Sequence, residues 1–289
     1  MPKIPEPRLR RSALYMPASN ARAIEKARSL PCDLVILDLE DAVAPEMKAA
    51  ARAAALAAAH AGGFGPRELV IRANAPGTPW GADDLAMLRD APVAAVLLPK
   101  ISGPQALREA RSMLGGDVPL WAMIETCRAI LQIESIVAVA AEVGLTVLVA
   151  GTNDLAKEMR CVPGADRAPL LPALAQIVMA ARMAGLDAID GVCDAIDDPA
   201  VFEAECGQGL AYGFDGKTLI HPGQVATANA VFAPTAAAIA WARKIVAAFG
   251  DPGNMAKGAI RLDGKMVEIL HLEQARRTLH LAALAQPAP

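Results

Sequence analysis

Short runs of aliphatic and β-branched residues alternate along this chain with longer Ala-rich runs whose apolar positions return every three or four residues. The first kind predicts strands at residues 12–16, 34–39, 69–72, 95–99, 120–124, 145–149, 188–192 and 213–219. The second predicts helices at 21–30, 46–61, 104–114, 130–143, 170–184 and 199–209, several of them starting at a proline or behind an acid, as helix starts tend to. About eight rounds of strand then helix is the number at which a parallel sheet closes, so the expected fold is a TIM-type (β/α)8 barrel. A doubly wound open sheet is the alternative.

Beyond residue 222 the pattern changes. Residues 222–249 read as two helices parted near Pro234, and Asp263-Gly264 between two short β-type runs signals a hairpin. A last helix is expected over 272–285. We therefore expect a catalytic barrel over residues 1–250 and a C-terminal extension, a lid or an oligomerisation element, over 251–289.

Composition sharpens this in one respect. Hydrophobic residues make up 54% of the 289 and aromatics only 3%, so the core must be filled by Ala, Val, Leu, Ile and Met, which suits a layered barrel wrapped in Ala-rich helices. A net charge of -3 with scattered basic residues argues against nucleic acid or an acidic membrane as partner. Lys3, Arg8, Arg10 and Arg11 lie near the start, but no secretory apolar core follows them. No apolar run is expected to approach the roughly 20 residues that span a bilayer. The five cysteines show no CxxC pairing, which fits free thiols in a reducing, cytoplasmic setting.

Chemistry concentrates where the strands end. Glu125 closes the fifth strand and Asp154 lies just past the sixth. Neighbouring strands of a parallel barrel deliver their last residues to one mouth, and two adjacent acids suit magnesium, or manganese, with water and substrate filling the other positions. The competing reading makes Glu125 a helix cap and Asp154 an Asx turn. Arg72, ending the third strand, is either an oxyanion donor or the structural partner of Glu40 or Asp41. The cluster Asp38, Glu40 and Asp41 suits orienting water or ligands. Lys100 is read as an anion contact or a snorkelling side chain, and Lys217 and His221 flank the last strand end. Neither a Walker-type loop nor a GxGxxG after a strand is present, against nucleotide chemistry.

Seven stretches together carry a resemblance: RSALYMP at 11–17, LDLEDAV at 37–43, IRAN at 71–74, IET at 124–126, GTNDL at 151–155, IHPGQ at 220–224 and GKMV at 264–267. In order and spacing they resemble the HpcH/HpaI aldolase and citrate lyase β-chain family, above all its CoA ester lyases for malyl-CoA and citramalyl-CoA. The resemblance spans almost the whole chain. It implies Mg2+ on Glu125 and Asp154, with Arg72 facing a thioester oxygen as it becomes an enolate. It implies CoA contacts at Tyr15, Asn20, Lys26, Ile220 and His221, with Asn153 beside the substrate, and a homotrimer in which the tail covers the next subunit's barrel mouth. Where the family brings a catalytic aspartate on that tail, this chain has Glu268, one methylene longer. Ala18 stands where the family more often has glycine. The implied activity is reversible cleavage of a 3-hydroxyacyl-CoA to acetyl-CoA and a 2-oxo acid. The alternatives are a citrate lyase β-chain, a malyl-CoA thioesterase, a CoA-independent metal aldolase and a non-catalytic CoA-ester binding protein.

Overall fold

The computed structural model describes residues 8–255 and 257–285, so Lys3 and the outer ends of both expected domains lie outside the described residues. Eight parallel strands close into a barrel in sequence order: β1 (Ser12–Pro17), β2 (Leu34–Asp38), β3 (Glu68–Arg72), β4 (Ala95–Leu98), β5 (Leu120–Ile124), β6 (Leu145–Ala150), β7 (Asp187–Asp190) and β8 (Gly216–Leu219). The open-sheet alternative is thereby excluded. Each strand matches an expected apolar run to within a few residues.

Side chains on a strand alternate between its two faces, and here the alternation decides what reaches the mouth. Ala13, Leu34, Ile36, Val70, Ala95, Leu97, Trp121, Met123, Val147, Val149 and Ile189 form the barrel's inner core. Leu14, Val35, Leu37, Ile71, Val96, Leu98, Ala122, Leu148 and Leu219 point outward into the core beneath the helices. Carrying the inward phase to the strand ends reaches Tyr15, Asp38, Arg72 and Glu125. Asp190 and Lys217 fall on the outward phase instead. Lys217 Nζ lies 3.0 Å from Asp190 Oδ2 and 2.6 Å from Glu205 Oε1, while Arg167 holds Asp190 from the other side at 2.9 Å. Burial alone would raise the Asp190 carboxyl, but Lys217 and Arg167 outweigh it and hold it low. Those four charges therefore pin helix Pro199–Tyr212 to the wall and are not presented to a ligand.

Two helical expectations needed revision. The run expected over 130–143 is three short helices, Cys127–Leu131, Ile133–Ala138 and Ala140–Val143, interrupted where Gln132 and Val139 leave helical geometry. The run Pro222–Gly250 has the length and apolar composition of a membrane span, contrary to expectation. Its helix Val225–Val231 stops before Pro234, and the next, Ala236–Gly250, restarts behind a Thr235 cap. At 15 residues that second helix is about 22 Å long, short of the roughly 30 Å hydrocarbon layer.

By contacts the described residues form two compact units, one spanning Arg10–Phe232 and the other the described residues from Ala233 to Ala285 together with Arg8 and Leu9. Helix Ala236–Gly250 groups with the tail because its Ala242, Ile245 and Phe249 pack on Val267, Leu272 and Ala275. That unit also holds an antiparallel hairpin, β9 (Ala259–Leu262) and β10 (Lys265–Glu268), and helix Ile269–Leu284. Asp263 and Gly264 both take positive φ, 47° and 80°, as a two-residue hairpin turn of this type demands.

Candidate active site

Arg72 is fixed by its neighbour in the sheet. Parallel register sets Asp38 of β2 directly beside Arg72 of β3, and their side chains form a two-pronged pair, Nε to Oδ1 and Nη2 to Oδ2, both at 2.7 Å. The remaining arm, Nη1, lies 2.9 Å from Glu40 Oε2 as an ion pair without hydrogen-bond alignment, and 3.5 Å from Asp41 Oδ2. Below it the Tyr15 ring lies 4.9 Å from the guanidinium carbon, a cation–π contact. Burial would favour the neutral form, yet Tyr15, Asp38 and Glu40 more than reverse this and keep Arg72 charged. Asp38 therefore positions a guanidinium whose third arm, paired with Glu40 and donating to Met123 Sδ at 3.7 Å, lines the mouth. Of the two sequence readings of Arg72, the structural pairing with Glu40 and Asp41 is present, with Asp38 as the principal partner.

Glu125 is buried at the end of β5, and the following helix is capped by Thr126, whose hydroxyl accepts from Ala129 N, so Glu125 is not the cap. Its Oε1 accepts from Lys100 N at 2.6 Å, and its Oε2 is buried without a hydrogen-bond partner. An orphaned buried carboxylate oxygen at a barrel mouth is a group in want of a cation. Burial pushes this carboxyl up, Lys100 opposes the rise, and Asp154 adds to it.

Asp154 lies in the first turn of helix Thr152–Met159 and makes no Asx turn; its carboxylate touches Lys100 Nζ. The same ammonium is 3.5 Å from Glu125 Oε1 and 3.9 Å from Glu40 Oε1. One cationic group thus lies between the two acids, which shows that their oxygens converge on a common space. Lys100 takes this position from a left-handed backbone, φ 55°, uncommon for a residue with a β-carbon. Burial would lower its pKa, but Asp154, Glu125 and Glu40 raise it overall.

Gly151 makes the approach of β6 to Glu125 feasible. A β-carbon on it would fall 2.4 Å from Glu125 Cβ and 2.7 Å from Oε2. Gly151→Ala is accordingly expected to displace Glu125 and cost about 1–3 kcal/mol of stability, with activity falling further than stability; urea denaturation alongside steady-state kinetics checks both.

A cavity of about 350 Å3 opens at this mouth, lined by Tyr15, Asp38, Asp41, Arg72, Glu125, Asn153, Asp154 and Ile220 among others. Tyr15, Arg72, Glu125, Asn153, Asp154 and Ile220 of the expected site are thus brought together. Asn20, Lys26 and His221 do not line it: Asn20 caps helix Ala21–Ala27, His221 Nδ1 accepts from Gly223 N, and Lys26 is exposed on that helix. Glu268 lies in the other compact unit, where its N–H donates to His271 Nδ1 at the start of helix Ile269–Leu284. Sequence reasoning missed the part of Lys100, although its place directly after β4, facing Glu125 of β5, was a usable signal.

Burial pushes the Glu40 carboxyl up to about 7; Arg72 and Lys100 pull it down, while Asp41 and Glu125 add to the rise. A carboxyl that holds its proton more tightly when folded makes stability fall as pH rises from about 4.5, its unfolded value, toward 7. Glu40→Gln is expected to flatten that decline in denaturation curves taken across the same interval.

An inward-phased set of a guanidinium and two acids at the C-terminal rim of a parallel barrel defines an enzyme built on the (β/α)8 plan. The family profile for HpcH/HpaI aldolase/citrate lyase matches residues 11–222, and the chain belongs to that family. It is 45% identical over 93% of both chains to a (3S)-malyl-CoA thioesterase of Cereibacter sphaeroides. It is 30% identical to human mitochondrial citramalyl-CoA lyase, over 94% of this chain and 85% of that one. Among solved structures it resembles the Mycobacterium tuberculosis protein CitE in complex with magnesium, acetoacetate and coenzyme A, with a TM-score of 0.75, 29% identity, and coverage of 94% of this chain and 97% of that one.

Proposed function

We propose that this protein is a divalent-metal-dependent enzyme of 3-hydroxyacyl-CoA thioesters such as malyl-CoA or citramalyl-CoA, cleaving C2 from C3 reversibly to give acetyl-CoA and a 2-oxo acid. The observation that carries the reading is the convergence of Arg72, Glu125 and Asp154 on one cavity, two acids flanking a cationic position with the Arg72 guanidinium, paired to Asp38 and Glu40, beside it. Magnesium, or manganese in its place, fits the donors: Glu125 offers an oxygen with no other partner, and such ions accept one or two carboxylates with the rest from water and substrate. Among the described residues no group of three or more His, Cys, Asp or Glu is arranged for a metal, so this pair is the donor set we assign. Bound there, the ion would act as a Lewis acid toward the oxygens of the substrate's acid portion.

The chain's own residues do the rest. As the C2–C3 bond breaks, its electron pair passes to C2 and onto the thioester oxygen, where Arg72, held by Asp38, meets the developing charge. The 3-hydroxyl proton passes to a base and returns to C2 as the methyl group of acetyl-CoA. We assign that base to Glu268, supplied by a neighbouring copy in a homotrimer. Tyr15, Asn153 and Ile220 receive the thioester end, with Asn20, Lys26 and His221 along the CoA arm and Lys26 at phosphate. The proposed setting is the cytoplasm.

A second outcome, thioester hydrolysis, is favoured by the 45% identity to a malyl-CoA thioesterase. One experiment separates them: the protein is incubated with malyl-CoA or citramalyl-CoA and magnesium while 2-oxo acid and free CoA thiol are both followed. Acetyl-CoA with glyoxylate or pyruvate marks the lyase; CoA thiol and free acid without 2-oxo acid mark the hydrolase. A folded protein that turns over no CoA ester would contradict the reading.

A further inference from the structure

The Lys100 ammonium occupies the space between the two acids of the mouth. The group is covalently tethered just past the end of β4, touches Asp154, and lies 3.5 Å from Glu125 and 3.9 Å from Glu40, while the backbone N–H of Lys100 fixes Glu125 Oε1. A divalent cation joining the open Glu125 Oε2 to Asp154 needs close, direct contact with the Asp154 carboxylate that the ammonium already engages. Two cations cannot hold those positions together.

We propose that Lys100 is a built-in competitor for the metal position: its ammonium neutralises the acids of the mouth, and a divalent ion binds only by displacing it. This rests on the metal reading above. The side chain is about one-third exposed and borders a second cavity of about 400 Å3, which Glu125 and Asp154 line together with Thr126, Lys157, Glu158 and Arg160, so it has open space beside the acids to swing into. The stem is flexible, and the charged end regains water as it withdraws. The left-handed backbone at Lys100 serves the arrangement twice, directing the N–H at Glu125 while letting the side chain fold back over the same acid.

Competition makes a definite prediction, because apparent affinity falls with the fraction of molecules in the competent arrangement. If the ammonium engages the acids in about nine molecules of ten, its removal tightens metal binding about tenfold. Lys100→Met keeps the stem, the backbone donor and most of the bulk while removing the charge. Magnesium alone, and manganese alone, are titrated by calorimetry into metal-stripped wild type, Lys100→Met and Lys100→Arg. We expect Lys100→Met to bind about tenfold tighter, to show a lower Tm in chelator, and to gain a larger Tm rise from magnesium than wild type. Lys100→Arg is expected to restore affinity toward the wild-type value. A purely structural role would lower the Tm of Lys100→Met without tightening the metal. Equal or weaker metal affinity in a folded Lys100→Met overturns the inference alone. Absence of binding in all three proteins overturns both it and the metal reading.

Discussion

Exchanging Arg72 for lysine is expected to lower kcat on malyl-CoA about 100–1000-fold, the usual loss when a donor to a developing oxyanion is removed. Lysine retains the charge but not the planar fork, so it can satisfy Asp38 or reach the thioester oxygen, not both. It is a better test than alanine, which leaves Asp38 buried without a counter-charge and costs about 3–5 kcal/mol of stability. Steady-state kinetics beside a Tm measurement distinguishes the two effects. A lysine variant with near wild-type kcat would remove Arg72 from the chemistry and leave it as the partner of Asp38.

The second large effect is expected from Glu125→Gln. The amide keeps the volume and an oxygen able to accept from Lys100 N, so the barrel should fold as before. It loses the negative charge that attracts a divalent ion, and with it a Lewis acid contributing several kcal/mol to the transition state. A fall in turnover of about 1000-fold or more is expected, together with greatly weakened magnesium binding. Asp154, about one-third exposed, should give a milder loss on change to asparagine. Calorimetry with magnesium and a product assay on the same preparations would check both; retained affinity in Glu125→Gln would move the metal elsewhere.

The two changes also show how far the sequence could be read. Strand positions were legible because a parallel barrel buries both faces of each strand, leaving near-continuous apolar runs that stop sharply at charge. Asp38, Arg72 and Glu125 were visible at those stops, and period-two alternation assigns each to the inward face. The pairing of Asp38 with Arg72 was not visible, because it depends on register between strands 34 residues apart in sequence. Lys100 was read as an anion contact or a snorkelling side chain because only the fold shows three carboxylates arriving around it. Lys217 illustrates the opposite error: a charge at a strand end suggested function, but the outward phase commits it to a buried ion network. The apolar stripe of helix Ala236–Gly250 carries no mark in sequence of which core it joins; by contacts it groups with the tail.

The central claim, that Glu125 and Asp154 share one divalent ion opposite Arg72, is tested most directly by anomalous diffraction from crystals soaked in manganese. A single strong peak is expected within about 2.2 Å of a carboxylate oxygen from each residue, with the Lys100 ammonium moved off the pair. A peak bound to only one of the two, or one lying away from the barrel mouth, would contradict it.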